Sequence, residues 1–297
     1  MKVEKKNRMK SVFCILLAAF CWALPPTLGK FIVDDIDPFI ITTFRLGFSV
    51  VLFLPFFLKK QNIEKLKEID KKTLRNFVLS GMLFFGPHYI LYFFSLQFTL
   101  ASHASILIQV GYIISAALCM IFLKEKVNKF KIVGIILSIG GILLIVWNPS
   151  RSSSTNIPFE AILIGDLFMI GSMVLWGIYS VINKKTVSNI GSLNSTVIIF
   201  IFGALSTLPL VLFNFSSVFS INLIGLLILI LIAIFGSYLG YFLYNEGLKH
   251  MEGSKTAILL LSNPVFAVLI AAIVLQENLS GFFIFGARKS SSADVDN

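Results

Sequence analysis

Leu123-Lys124-Glu125-Lys126-Val127 and Leu275-Gln276-Glu277-Asn278-Leu279 each close one apolar run and stand before another. Carried outward from that pairing, Ser102 falls on Ser254, Tyr92 on Tyr244 and Gly134 on Gly286. With a shift of two residues, Trp22 falls on Trp176, Lys30 on Lys184 and Pro55 on Pro209. The chain therefore runs through a five-helix pattern twice, and the second copy breaks off before its last helix is complete. Tandem membrane-spanning units of this kind are a common basis for transporters.

The composition fits nothing soluble. Apolar residues make up 57% of the chain and charged residues 13%, with a mean hydropathy of +0.89, against roughly 45–50% and 25% in a soluble domain. The fold class that follows is all-α, a polytopic membrane helix bundle. Its apolar stretches of about 17 to 22 residues match a hydrocarbon core about 30 Å thick at 1.5 Å rise per residue. Nine full spans are read, over 11–30, 38–58, 76–97, 102–123, 131–147, 161–183, 193–213, 222–245 and 255–275. Thr186 to Asn245 carries no charge, so its division rests on the turn formers Asn214, Ser216, Ser217, Ser220 and Asn222. The basic start followed by an apolar run resembles a secretory signal, but the run continues to Gly29 and further spans follow, so it reads as a retained first helix.

Net charge of +10 is a topology signal and carries no implication of nucleic acid. Of 25 Lys and Arg residues, 22 fall on alternate connections; Lys30 and Arg151 lie on the other side and Arg45 lies inside a helix. Basic loops resist translocation, which predicts a cytoplasmic N-terminus in the cell membrane. The loop at Lys124 to Lys131 is strongly basic while its counterpart at Gln276 to Ser280 has no basic residue, as an odd number of spans per copy requires. The two copies are thus expected to be inverted, with the first repeat over 1–150 and the second over 151–287. In the second copy Gly286-Ala287 is followed by Arg288-Lys289-Ser290-Ser291-Ser292 where the first continues as an apolar helix. The nine residues from Leu279 to Ala287 reach only about 13 Å as a helix, so the tenth span is truncated. Residues 288–297 read as a non-native or frameshifted tail, with a natural nine-span variant as the alternative.

Polar and aromatic residues inside the spans are the candidates for a substrate path, because polar groups facing lipid are costly. Trp22 and Trp176 stand at equivalent depths and form either cavity walls or ordinary packing. Pro25 and Pro26 interrupt the first span, and Pro87 and Pro264 can kink others. His88, Tyr89 and Tyr92 lie at helical spacing on the third span, with His88 and Tyr92 on one face. Tyr238, Tyr241 and Tyr244 recur on the eighth, where Tyr244 reads best as an interfacial anchor. Gln109 and Tyr112, Tyr179 and Asn183, and Ser262 and Asn263 add groups that serve as ligand contacts or as interhelical glue. The substrate-binding candidates are Trp22, His88, Tyr92, Gln109, Tyr112, Trp176, Tyr179, Tyr241 and Asn263. Arg45 either binds a substrate carboxylate or pins the fold through backbone carbonyls, Glu125 or Glu277. Asp166, His88 and His103 are the available proton carriers, although Asp166 near an outer end reads as a solvated carboxylate. Structural or coupling roles are assigned to Arg45, Pro25, Asp166, Glu125 and Glu277.

No His-Glu-x-x-His, Gly-x-Ser-x-Gly, Gly-x-Gly-Asp or phosphate-binding Gly-rich loop is present, which argues against a polytopic membrane enzyme. Asp34-Asp35-Ile36-Asp37 reads as a solvated outer turn, and Cys14, Cys21 and Cys119 show neither metal nor disulfide spacing. No catalytic, metal or cofactor site is expected. The partners expected are a small-molecule metabolite and the lipid bilayer, with a homodimer left open.

Leu17-Ala18-Ala19-Phe20-Cys21-Trp22, Thr43-Phe44-Arg45-Leu46, Leu123-Lys124-Glu125 with Ile132-Val133-Gly134 and Gly140-Gly141, Met173-Val174-Leu175-Trp176-Gly177, Glu252-Gly253-Ser254-Lys255-Thr256-Ala257, Asn263-Pro264 and Leu275-Gln276-Glu277 follow one another in a familiar order. In these segments the chain resembles the EamA family of the drug/metabolite transporter superfamily over nearly its whole length. The resemblance implies ten helices in two inverted five-helix units, and an exporter or exchanger of amino acids or related metabolites working by alternating access. A lipid or lipid-linked sugar flippase is the alternative within the same superfamily.

Overall fold

In lipid, a helix satisfies every backbone N–H and C=O within its own segment, and every regular element among the described residues is helical. The computed structural model describes residues 2–99, 101–127, 158–212, 215–219 and 221–274, with isolated positions between 129 and 140. Helix α1 covers Lys2–Lys30 and α2 Pro38–Phe57, with Asp37 capping α2 through Phe39 N. The short α3 (Lys60–Lys67) lies in the basic connection before α4 (Lys71–Leu79), a π-helical segment at Ser80–Phe85 and α5 (Gly86–Phe98), which together form one continuous crossing. Helix α6 spans Ala101–Phe122, α7 Phe159–Ile190 and α8 Ser192–Leu212. The next crossing joins α9 (Leu223–Leu231), a second π-helical segment at Ile232–Leu239 and α10 (Gly240–Lys249); α11 (Gly253–Leu260) and α12 (Asn263–Val274) follow.

Among the described residues, seven segments are long and apolar enough to cross a membrane: Asn7–Lys30, Pro38–Phe57, Lys71–Phe98, His103–Phe122, Phe159–Ile190, Ser192–Leu212 and Leu223–Lys249. Each overlaps a crossing predicted from sequence. The predicted span at 131–147 lies largely outside the described residues; the partial span at 279–287, the tail at 288–297 and Glu277 lie wholly outside them. One boundary shifts and another is fixed for local reasons. Helix α7 runs on past Lys184 to Ile190 because nothing breaks it before Gly191, whose φ of +86° is one that side chains with a Cβ rarely adopt. Asn222 caps α9 through Gly225 N, which sets the start of the eighth crossing in the uncharged stretch.

The crossing expected to be one helix over 255–275 is two. Helix α11 stops at Leu260, the chain turns through Leu261 and Ser262, and α12 begins at Asn263-Pro264. Pro264 has no N–H to return to the preceding turn and is tolerated only near a helix start. Its counterpart by the sequence pairing, Tyr112, has an N–H, and α6 is unbroken.

Helix α1 is the most buried of the seven crossings, and each copy's first helix packs on several others. Helix α1 packs on α10, on the π-helical segment before it, and on α11 and α12, while α7 packs on α5, α6 and the first π-helical segment. Helices α2 and α8 lie against each other, with Phe53 and Phe200 ring to ring at 6.4 Å. Two lysines equivalent in the sequence make equivalent bonds: Lys30 Nζ donates to the Leu96 carbonyl at 2.7 Å and Lys184 Nζ to that of Leu248 at 2.5 Å. Each closes a carbonyl left open at a helix C-terminus. Asn183 and Asn245 bridge α7, α8 and α10 through Ser195 and Thr196 at 2.6 to 2.9 Å, so Asn183 acts as interhelical glue. The outward faces carry Phe13, Phe31, Val51, Leu83, Ile121 and Leu208, as contact with hydrocarbon requires.

Candidate functional site

Six helices meet around a cavity of about 40 Å³ lined by Trp22 and Pro25 of α1, Arg45 of α2, His88, Tyr89 and Tyr92 of α5, Ile108 and Tyr112 of α6, Met173 and Trp176 of α7, and Tyr241 of α10. That volume holds a few waters at most and lies far below the roughly 300–1,000 Å³ of a pocket holding a drug-sized ligand. The walls are in contact with one another. A solute could enter only if they moved apart.

A chain of hydrogen bonds ties these walls together. Arg45 Nη2 donates to the Tyr89 hydroxyl at 3.1 Å, Tyr89 donates to the Tyr241 hydroxyl at 2.8 Å, and the Trp176 indole donates to the same Tyr241 oxygen at 3.1 Å. Arg45 also donates through Nε to Ser237 Oγ at 2.6 Å and through Nη2 to the Gly236 carbonyl at 2.7 Å, while its guanidinium lies 4.1 Å from the centre of the Tyr89 ring. The Trp22 indole donates to the same Gly236 carbonyl at 3.0 Å. Gly236 and Ser237 lie in the second π-helical segment, where the wider turn presents backbone groups that an α-helix would keep to itself. His88 Nδ1 lies 3.0 Å from the Ser172 carbonyl and 2.7 Å from the Ser172 hydroxyl, which ties α5 to α7.

Aromatic rings fill the space between. Trp22 meets Trp176 edge to face at 5.9 Å and Tyr241 at 4.8 Å, and Tyr112 meets Trp176 at 5.1 Å. His88 lies 4.5 Å from Tyr89 and 6.2 Å from Tyr92. Tyr89 and Tyr241 are equivalent in the sequence pairing, as are Trp22 and Trp176. Both pairs touch.

Of the sequence candidates, Trp22, Pro25, Arg45, His88, Tyr92, Tyr112, Trp176 and Tyr241 line this one cavity. The others lie elsewhere. Tyr179 is fully buried behind the wall, packed on Phe85 at 4.8 Å with its hydroxyl unpartnered. Gln109 turns its amide back to the Ser105 carbonyl at 3.4 Å, and Asn263 donates to the Ala19 carbonyl at 2.8 Å, tying α12 to α1.

Asp166 is no solvated carboxylate. It is 8% exposed, accepts from Thr99 at 2.5 Å and lies 3.2 Å from His103 Nδ1, because the N-terminal end of α7 packs against α5 and α6. Tyr244 is likewise no interfacial anchor: it is buried at 5.2 Å from Trp22 and 5.9 Å from Trp176. Glu125 does not pair with Arg45. Its carboxylate accepts from Gly253 N at 2.7 Å, Ser254 N at 2.8 Å and Ser254 Oγ, at the N-terminus of α11 where a negative charge is favoured. Lys124, with φ of +52°, turns the chain at the end of α6 so that Glu125 reaches across.

Ile108 and Met173 line the cavity beyond the residues singled out from sequence, and Tyr89, noted there beside His88 and Tyr92 but not placed among the substrate-binding candidates, joins them. The repeat offset marks Tyr89, which falls on Tyr241. Ile108 and Met173 stand one helical turn before Tyr112 and Trp176, and only their spacing gives them away.

Comparison with known proteins bears on what such an arrangement is for. An uncharacterized transporter of Clostridium kluyveri is 28% identical over 280 residues, covering 93% of this chain and 89% of the relative. The uncharacterized transporter YyaM of Bacillus subtilis is 27% identical over 249 residues, covering 83% and 80%. A crystal structure that is 15% identical superimposes with a TM-score of 0.67 over 91% of this chain and 90% of its own, a likeness of fold alone. The profile of the EamA-like transporter family matches twice, over residues 9–147 and again over 163–288. With two successive matches spread over most of its length, this multi-pass membrane chain belongs to the EamA-like transporter family.

Proposed function

We propose that the chain is a secondary transporter of amino acids or related small metabolites, an exporter or exchanger, working by alternating access between two inverted five-helix halves. The observation that carries this reading is the meeting of sequence-equivalent residues at the cavity, Tyr89 with Tyr241 at 2.8 Å and Trp22 with Trp176 at 5.9 Å. Residues that meet their own equivalents lie beside a pseudo-twofold axis, and in transporters built from inverted repeats the substrate site lies at the interface of the repeats near the bilayer midplane. Helices that interdigitate in this way can part on one side while closing on the other.

The contracted cavity is then a state whose walls must part before a metabolite is held. The Glu125 bonds to Gly253 and Ser254 hold shut the end facing the basic loops, which the positive-inside pattern places in the cytoplasm together with the N-terminus. A soluble metabolite is preferred over a lipid, because the cavity walls come from six helices and are lined by hydrogen-bonding aromatic side chains.

The test is transport by the purified chain in proteoliposomes loaded with labelled amino acids. Trp22→Ala, Tyr92→Ala and Tyr241→Ala are expected to impair uptake or exchange while still inserting in the membrane. Unchanged kinetics in all three would refute the site.

A further inference from the structure

We infer that Nη1 of Arg45 is the docking point for a carboxylate on the transported solute, so that the substrates are small organic acids or zwitterions and not amines, sugars or neutral drugs. The inference deepens the proposed transport function and rests on the central cavity being its site.

Arg45 is 2% exposed and lines the cavity. Two of its three guanidinium nitrogens are engaged, Nε by Ser237 Oγ and Nη2 by the Gly236 carbonyl and the Tyr89 hydroxyl, whereas Nη1 is buried with no partner. Every one of those acceptors is neutral. No acidic side chain among the described residues forms an ion pair with Arg45, and Glu125, one of the two candidates from sequence, is occupied at the N-terminus of α11.

A guanidinium keeps its proton at any physiological pH, so this site holds a full positive charge in a low-dielectric interior, offset by neutral dipoles and the face of the Tyr89 ring and by no negative charge. Such burial is costly unless the charge is paired at some stage. A fold pin alone would be served by a neutral donor. The bonds to Nε and Nη2 instead fix the plane of the guanidinium and leave the two Nη1 hydrogens for an incoming anion, a positive donor held in place before the solute arrives.

The rest of the wall selects what accompanies the acid. The rings of Trp22, Tyr92, Tyr112, Trp176 and Tyr241 offer flat apolar surface to a side chain and electron-rich faces to an ammonium group. The Tyr89 ring is already covered by the guanidinium itself.

The experiment is thermal unfolding of the purified full chain against matched compounds: aromatic and aliphatic amino acids, their 2-oxo acids, the corresponding amino-acid amides and alcohols, and O-phosphoethanolamine as a soluble mimic of a lipid headgroup anion. At least one acid is expected to raise Tm in a saturable way, with its amide and alcohol about tenfold weaker or silent. Arg45→Gln is expected to erase the difference between acid and amide, while Tyr179→Phe, which removes an unpartnered hydroxyl behind the cavity wall, preserves it.

Since Arg45→Gln can fail to fold, the acid-to-amide ratio in the unaltered chain decides by itself. Equal stabilisation by acid and amide, or response to the phosphate ester alone, overturns the carboxylate subsite while leaving the cavity reading intact. Full transport in Trp22→Ala, Tyr92→Ala and Tyr241→Ala, with no acid shifting Tm, overturns both.

Discussion

The two π-helical segments begin at Ser80 and Ile232, equivalent points of the repeat, yet they serve opposite purposes. The first closes a helix interface. A Cβ at Gly81 would lie 2.6 Å from Phe202 Cβ and 3.0 Å from the Ile199 carbonyl, so α8 rests on bare backbone there. The second opens a site, turning the Gly236 carbonyl toward Trp22 and Arg45 while Ala233 accepts from Ser49 of α2 at 3.1 Å. One widening of the helix has become a seam in the first copy and a row of acceptors in the second. What decides between them is the neighbour: a helix backbone with a glycine at 203, or a helix carrying an arginine.

Alanine at each glycine separates the two roles, and here the largest effects are expected. Gly81→Ala meets backbone that cannot yield, so it should cost about 3 kcal/mol, the upper end for overpacking, and lower Tm in detergent by several degrees. At Gly236 a Cβ would meet Pro25 Cγ at 2.7 Å and Arg45 Nη2 at 2.8 Å, side-chain atoms and no backbone, so the clash falls on the bonds that hold the guanidinium. Gly236→Ala should therefore lose less stability but most of the transport. Equal loss of Tm in the two variants, with transport retained at Gly236→Ala, would break the comparison.

The latch between the copies comes next. Glu125→Gln weakens charge-assisted bonds worth about 1.5–3 kcal/mol in all. Because Gly253 sits over Cys119, with a built Cβ 2.6 Å from its sulfur, loosening the latch should speed thiol labelling of Cys119 in a Cys14→Ala, Cys21→Ala background. An unchanged labelling rate would mean that Glu125 merely caps α11.

Tyr89→Phe removes the hydroxyl between Arg45 and Tyr241. It should cost about 1–2 kcal/mol, and more than Tyr92→Phe, since the chain of hydrogen bonds runs through Tyr89. Comparing unfolding of the two variants sharpens the claim that the equivalents Tyr89 and Tyr241 join the copies. The smallest effect is expected at the broken crossing. Asn263→Ala gives up one bond to Ala19, about 1 kcal/mol, and a loss of transport exceeding that of Tyr241→Ala would move the site away from the cavity.

Much of the bundle was legible in one dimension. Seven crossings follow from apolar length, and Trp22, His88, Tyr92, Tyr112, Trp176 and Tyr241, picked out as polar or aromatic residues within spans, surround one cavity. Asp166 was misread because charge near a span end looks solvated until α5 and α6 are placed on either side of it. Tyr179 and Tyr241 look alike along the chain, but one lines the cavity and the other stands behind Phe85. Both faces of a membrane helix are apolar, so periodicity does not mark the side that packs inward.

The sequence by itself determined that this chain crosses a membrane repeatedly and in two related passes, because hydrocarbon thickness and backbone hydrogen bonding impose lengths that local composition records. Only the tertiary structure decided that Arg45 would find Gly236, Ser237 and Tyr89, that Glu125 would cap α11, and that Tyr89 would meet Tyr241. Those choices depend on how helices far apart in the chain rotate against one another, and that rotation is set by close packing between them.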